Sequence, residues 1–204
     1  MALRKGLLIV FEGIDGSGKS TQVQLLKKKL REMKLAVRAF REPTRGKWGK
    51  KIREKAREAG SLTPEEELNL FVRDRRENVR RNLRPALAAK KIVLLDRYYF
   101  STIAYQGGRG LDLEQIRAIN EEFAVKPDLV FILDIDPGKG LGRIEGRAVR
   151  EAHFEREDYL VRVRKIFLSF RGRMFVRLDA GLPAEDISRR VFGRVFRLIR
   201  KSQE

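Results

Sequence analysis

Residues 13 to 20 read Gly-Ile-Asp-Gly-Ser-Gly-Lys-Ser, an unbroken G-x-x-x-x-G-K-S placed directly after the apolar run Leu7-Leu8-Ile9-Val10-Phe11. The order strand, glycine-rich turn, helix is what close wrapping of a backbone around phosphate oxygens requires, because a β-carbon hinders the conformations involved. Gly13, Asp15, Gly16, Ser17, Gly18 and Thr21 would line the anion, with amide N–H groups and the positive helix end directed at it. Lys19 would reach the terminal phosphates as a mobile charge, and Ser20 would offer its hydroxyl to Mg²⁺. A ligand-free glycine turn is the bland alternative. The correct succession of strand, loop, Lys and Ser argues against it.

Other segments supply what phosphoryl transfer between two anionic nucleotides needs, which is mostly positioning and charge neutralisation. Asp96-Arg97-Tyr98 follows Ile92-Val93-Leu94-Leu95. An Asp at the end of a buried strand can hold Mg²⁺ or its water shell, and Arg97 beside it can clamp an acceptor phosphate. The alternative is a structural Asp–Arg pair. Phe71 and Arg75 stand four residues apart in a helical stretch from Pro64 to Ala89, so a ring and a guanidinium share a face, as a nucleobase would need. From spacing alone, a core Phe beside a solvated Arg is the stronger reading. Ser101, Thr102, Tyr105 and Gln106 mix hydroxyls, a ring and an amide, as a substrate-reading surface would; the alternative is a helix start capped by Ser101. Arg143, Arg147, Arg150 and Arg156 lie with Gly142 and Gly146 in a stretch that is either a closing lid, at about 142–157, or a basic surface segment. Nothing around His153, the single histidine, resembles a ligand set. Packing is the default for Trp48.

The elements that must position these residues are legible as five apolar runs: Leu7–Phe11, Ala36–Phe40, Ile92–Leu95, Leu129–Leu133 and Met174–Leu178. Continuous rather than alternating apolarity predicts strands buried on both faces. Between them the spacing is helical. Val23, Leu26 and Leu30 share one face, and Ile187, Val191, Val195 and Phe196 share another, opposite Arg189, Arg190, Arg194, Arg197 and Arg200. Alternating strands and helices predict a parallel sheet flanked by helices, with ligands beyond the carboxyl ends of the strands. One domain over residues 1–204 is the simplest organisation.

The 204 residues are 42% hydrophobic and carry a formal charge of +18, from 46 basic and 28 acidic side chains. That composition excludes a disordered chain and favours anionic partners. The absence of cysteine excludes disulfides, thiolate metal sites and cysteine nucleophiles. No run approaches the roughly 18 apolar residues of a membrane span. A soluble cytoplasmic protein is expected.

Taken together, the chain resembles the thymidylate kinase family of P-loop nucleoside monophosphate kinases. The resemblance rests on Phe-Glu-Gly-Ile-Asp-Gly-Ser-Gly-Lys-Ser-Thr at 11–21, Arg-Glu-Pro at 41–43, Phe71 with Asp74-Arg75, Asp96-Arg97-Tyr98 with Ser101 to Gly107, and Pro127-Asp128 leading to Leu133-Asp134. It implies a three-layer P-loop NTPase-type α/β fold with a five-stranded parallel sheet, usually as a homodimer. It also implies transfer of a phosphoryl group from ATP, with Mg²⁺, to dTMP. By the resemblance, Asp15 would accept from the sugar 3′-hydroxyl, Phe71 would stack on thymine, and Arg75 would donate to a thymine carbonyl. Arg97 would hold the dTMP phosphate, Ser101 and Thr102 would lie near the base edge, and Tyr105 would crowd a 2′-hydroxyl. Arg143 would lie against adenine. Some members carry a catalytic Arg inside the phosphate loop; here position 16 is Gly, so Arg147 and Arg150 of the lid are the candidates.

The chain departs from many relatives at Thr44-Arg45-Gly46, where Gly-Gly-Thr is common, and Arg45 could add a phosphate contact or alter acceptor choice. In the lid, Ala152-His153-Phe154-Glu155 replaces an Asp-Arg-Phe-Glu run. Two other readings are a kinase for a different nucleotide or nucleoside, and a basic P-loop nucleic-acid-binding or regulatory protein with weak catalysis. Otherwise, nucleic acid is expected to bind only weakly, through charge, and no membrane partner is expected.

Overall fold

The computed structural model describes residues 3–58, 62–144 and 157–203. Five strands, β1 (Leu7–Glu12), β2 (Val37–Arg41), β3 (Ile92–Asp96), β4 (Leu129–Asp134) and β5 (Phe175–Asp179), form one parallel sheet in the order β2-β3-β1-β4-β5. Each expected strand is present, but its pairing runs one residue further, into Glu12, Arg41, Asp96, Asp134 and Asp179. Apolarity ends where the sheet's interior ends, while backbone pairing continues to its rim. The central strands are buried throughout, as their unbroken apolar runs demand. Phe11 of β1 and Phe131 of β4 stack at 5.2 Å between ring centres.

The helices are α1 (Lys19–Glu32), α2 (Lys47–Arg57), α3 (Pro64–Asn78), α4 (Arg84–Ala88), α5 (Tyr99–Gly108), α6 (Leu113–Glu121), α7 (Pro137–Ile144), α8 (Glu157–Ser169) and α9 (Ala184–Lys201). The α1 helix packs on β1, β2 and β3 and alongside α9. Val23, Leu26 and Leu30 of α1, and Ile187, Val191 and Val195 of α9, are buried, while the α9 arginines face out. The expected helical stretch from Pro64 to Ala89 is present, with residues Val79–Leu83 π-helical between α3 and α4. Thr63 caps α3 by accepting from the Glu66 N–H, and Glu66 returns the contact to the Thr63 N–H. Nearly every residue of α5 is buried, enclosed by α3, α6 and α8. A helix apolar on all sides belongs inside a protein. Its few polar side chains are therefore held by partners and not by water. Among the described residues no helix is long and apolar enough to cross a membrane.

Candidate active site

The turn from β1 to α1 is set by its glycines. Gly13, Gly16 and Gly18 have φ of 137°, 76° and 87°, all in the region that side chains resist. A β-carbon at Gly13 would lie 2.4 Å from the Leu133 carbonyl oxygen. Gly18 stands just before α1, which begins at Lys19. The Lys19 Nζ is folded back along the loop, donating to the carbonyls of Gly13 at 3.0 Å and Ile14 at 2.7 Å and to Ser17 Oγ at 3.3 Å. Burial and the neighbouring Arg97 charge bring its pKa down to about 8. At α1's first turn Ser20 Oγ donates to Asp96 Oδ2 at 2.5 Å. The other carboxylate oxygen of Asp96 is buried without a hydrogen-bond partner.

Beside this loop a cleft of about 960 Å³ opens beyond the carboxyl ends of β1, β2 and β3. Its lining includes Asp15, Ser20, Arg45, Phe71, Arg75, Asp96, Arg97, Ser101, Thr102, Tyr105 and Gln106, so all the acceptor-side residues named from the sequence converge there. Arg97 pairs with Asp15 rather than with its neighbour Asp96. Tyr105 Oη donates to Asp15 Oδ2 at 2.9 Å, and the Arg97 guanidinium lies 5.1 Å from the Tyr105 ring centre. Burial works against the Asp15 charge, but Arg97 and Lys19 outweigh it and hold the carboxyl down at about 2. A phosphate arriving here would meet a guanidinium whose one charged partner among the described residues is Asp15, its other contacts being the hydroxyls of Ser101 and Tyr105.

Arg75 is not the solvated residue that spacing favoured; it is 1% exposed. Its Nε donates to Glu42 at 2.7 Å, one Nη to Asn120 Oδ1 at 2.5 Å and the other to Thr102 Oγ1 at 2.9 Å. Each terminal nitrogen keeps a further N–H. Burial pushes the Glu42 carboxyl up against the opposing pull of Arg75. Phe71, one turn earlier on α3, is only half-buried and lines the cleft. Nor does Ser101 cap α5; Tyr98 takes that place, and Ser101 is buried with its Oγ donating to Glu12 Oε2 at 2.5 Å. Gln106 lies deeper, its amide donating to Glu67 Oε2 at 2.6 Å.

The loop after the cis Glu42–Pro43 bond is held from two helices. Asp74 of α3 accepts from the Thr44 N–H at 2.7 Å and the Thr44 hydroxyl at 2.6 Å, and Arg53 of α2 donates to the Thr44 carbonyl at 2.7 Å. Arg45 is thereby presented at the cleft, exposed. Trp48 lies partly buried between Lys47 and Arg73, whose cations sit 5.2 and 5.0 Å from its ring. Arg143, in the last turn of α7, reaches back to the carbonyls of Ala180 at 2.9 Å and Gly16 at 3.4 Å. Arg147, Arg150 and His153 lie outside the described residues. Glu12, Glu42, Arg53 and Asn120 were not singled out from sequence. Glu12 and Glu42, each at a strand end within a quoted run, carried a local signal.

Comparison with known proteins points to one family. The thymidylate kinase family model matches residues 11–191. The chain is 51% identical over 188 residues to the thymidylate kinase of Akkermansia muciniphila, covering 92% of this chain and 90% of that one. It is 43% identical over 185 residues to the probable thymidylate kinase of Archaeoglobus fulgidus, covering 91% and 92%. It is 41% identical over 201 residues to the thymidylate kinase of Desulfotalea psychrophila, covering 98% and 99%.

Proposed function

From the thymidylate kinase family, to which this chain belongs, we propose the division of labour within the cleft. The protein is a nucleoside monophosphate kinase that phosphorylates dTMP to dTDP in dTTP synthesis, with ATP as donor. The observation that carries the site assignment is the meeting of Asp15, Arg97 and Tyr105 beside the phosphate loop in the same cleft as Phe71 and Arg75. Arg97 exchanges Asp15 for the dTMP phosphate. Asp15, so released, accepts from the sugar 3′-hydroxyl, and Tyr105 occupies the space a 2′-hydroxyl would need. Phe71 stacks on thymine while a spare N–H of Arg75 donates to a base carbonyl. Arg45 adds positive charge at the acceptor phosphate. Arg143 lies on the adenine side, and Arg147 or Arg150 supplies the lid's charge.

In the reaction a dTMP phosphate oxygen attacks the γ-phosphorus in line. The bond from that phosphorus to the bridging oxygen breaks, and its electron pair leaves with ADP. The attacking oxygen is already anionic, so no general base is required. Lys19 leaves the loop carbonyls for the terminal phosphates. Ser20 and Asp96 fit a Mg²⁺ ion: a hydroxyl and a carboxylate meet there, one carboxylate oxygen being otherwise unpartnered. Among the described residues no three His, Cys, Asp or Glu side chains cluster for a metal, so the ion would draw its remaining ligands from phosphate and water. When bound, it neutralises developing phosphate charge.

Incubation of the purified protein with ATP, Mg²⁺ and each nucleoside monophosphate in turn tests the reading. Turnover of dTMP ahead of dUMP, UMP and dCMP is expected. Turnover of another acceptor with none of dTMP would refute it. The nucleic-acid-binding alternative is not favoured, given the family match across nearly the whole chain. One domain, a cytoplasmic location and a homodimer complete the proposal. Light scattering on the eluting protein should give twice the 23.7 kDa of one chain, and a single-chain mass would remove the dimer.

A further inference from the structure

Glu12 is the last residue of β1 and is fully buried. A buried carboxylate is costly unless several donors meet it. Here three do, and all belong to one turn. Its Oε1 accepts from the N–H groups of Tyr98 at 2.7 Å and Ser101 at 3.2 Å; its Oε2 accepts from Ser101 Oγ at 2.5 Å. Those amides open α5, whose first residues have no side-chain cap of their own, so a carboxylate from β1 does the capping. The turn it grips contains Arg97, at φ 68°, a left-handed conformation that is unfavourable for a residue with a β-carbon. The Arg97 N–H is tied to the Phe11 carbonyl at 3.0 Å, the residue before Glu12. One Arg97 Nη donates to Ser101 Oγ at 3.2 Å. The end of β1 therefore holds Arg97 by its backbone on both sides and, through Ser101, by its guanidinium. Glu12 is absent from the cleft lining, so it does not meet substrate there.

We propose that Glu12 is a positioning residue for the acceptor phosphate, acting through Arg97. The inference rests on the reading that Arg97 receives the dTMP phosphate. Burial raises the Glu12 pKa to about 7 against the pull of Ser101, Arg97 and Lys19, so the carboxylate's hold on this turn depends on keeping those donors in place. Glu12→Gln keeps the shape and one carbonyl oxygen, but it removes the charge and the acceptor of the Ser101 hydroxyl.

The test is a double-mutant cycle on steady-state constants. Glu12→Gln should raise the dTMP KM about tenfold, the scale of one charge-assisted hydrogen bond, and leave the ATP KM within about twofold. In an Arg97→Ala background the same change should add under about twofold, because the group it positions is gone. Ser101→Ala cuts the same link from the other side, leaving Glu12 Oε2 without the hydroxyl that donates to it and keeping the Glu12 charge. It should reproduce the selective dTMP effect even if Glu12→Gln folds poorly. If Arg97→Ala raises the dTMP KM while Glu12→Gln and Ser101→Ala leave it unchanged, the positioning role alone is overturned. A full tenfold effect persisting without Arg97, or dTMP and ATP constants rising together, overturns it too. If Arg97→Ala itself leaves the dTMP KM unchanged, the phosphate reading falls and the role of Glu12 falls with it.

Discussion

At Gly16 the loop carries no arginine, and its surroundings show why none is accommodated. A β-carbon there would lie 2.0 Å from the carbonyl oxygen of Gly140 in α7, and φ is 76°. The backbone of α7 thus fills the space into which a loop arginine would have to start, and positive charge for the transferred group must come from elsewhere. Lys19 is one such source. It stands among Arg97, Asp15, Asp96 and Glu12, and burial together with Arg97 lowers its pKa to about 8. The sign follows directly. Below that value the ammonium is charged and attracts the ATP phosphates; above it the free enzyme loses that charge. The kcat/KM for ATP, measured at dTMP well below its KM, should therefore be flat up to about pH 8 and then fall toward tenfold per unit. A profile that stays flat toward the ordinary lysine value of 10.5 would show that Lys19 keeps its proton and is not the group being titrated.

At the scale of elements, α3 contributes the base-facing side of the acceptor site: Phe71, Asp74, Arg75 and Asn78 follow one another on its buried side or at the cleft. Asp74 fastens the loop after β2 to that helix through both polar groups of Thr44. Asp74→Ala should lower the unfolding free energy by about 2 kcal/mol, since two hydrogen bonds to a charged group are lost. It should also raise the dTMP KM severalfold while sparing that of ATP. Denaturant melts together with substrate titrations check this, and an unaltered dTMP KM would detach the clamp from acceptor binding. The same elements show what sequence could and could not reveal. Strand interiors were legible because burial on both faces writes an unbroken apolar run. How far the pairing runs was not, because Glu12, Asp96 and Asp134 are charged and still paired. Those charged ends hold the site's rim. Phe71 and Arg75 were legible as neighbours by helical spacing, yet spacing could not tell a solvated guanidinium from one bound by Glu42, Asn120 and Thr102. Those three come from β2's loop, α6 and α5, and only the assembled fold brings them together. The π-helical stretch at Val79–Leu83 left no mark in the apolar pattern.

For the whole molecule the governing quantity is the charge of +18. Part of it is spent in the cleft and the loop beside it, where Lys19, Arg75 and Arg97 face carboxylates. Much of the rest is outward. On α9, Arg190, Arg194, Arg197 and Arg200 are exposed, and among the described residues none of them has an ion-pair partner within 4.0 Å. Neighbouring α1 adds exposed Lys28 and Arg31. Such a surface attracts any polyanion through counterion release, with no geometry to recognise it, and that attraction collapses as salt rises. A random-sequence DNA duplex should therefore bind measurably at about 20 mM salt and lose nearly all affinity by about 150 mM. Saturating dTMP and ATP should leave the low-salt binding largely in place, because the α9 arginines are not part of the cleft lining. Fluorescence anisotropy across a salt series measures both. Tight binding that survives physiological salt would mean that the surface is a built nucleic-acid interface, and weak attraction by surplus charge would no longer explain the arginines.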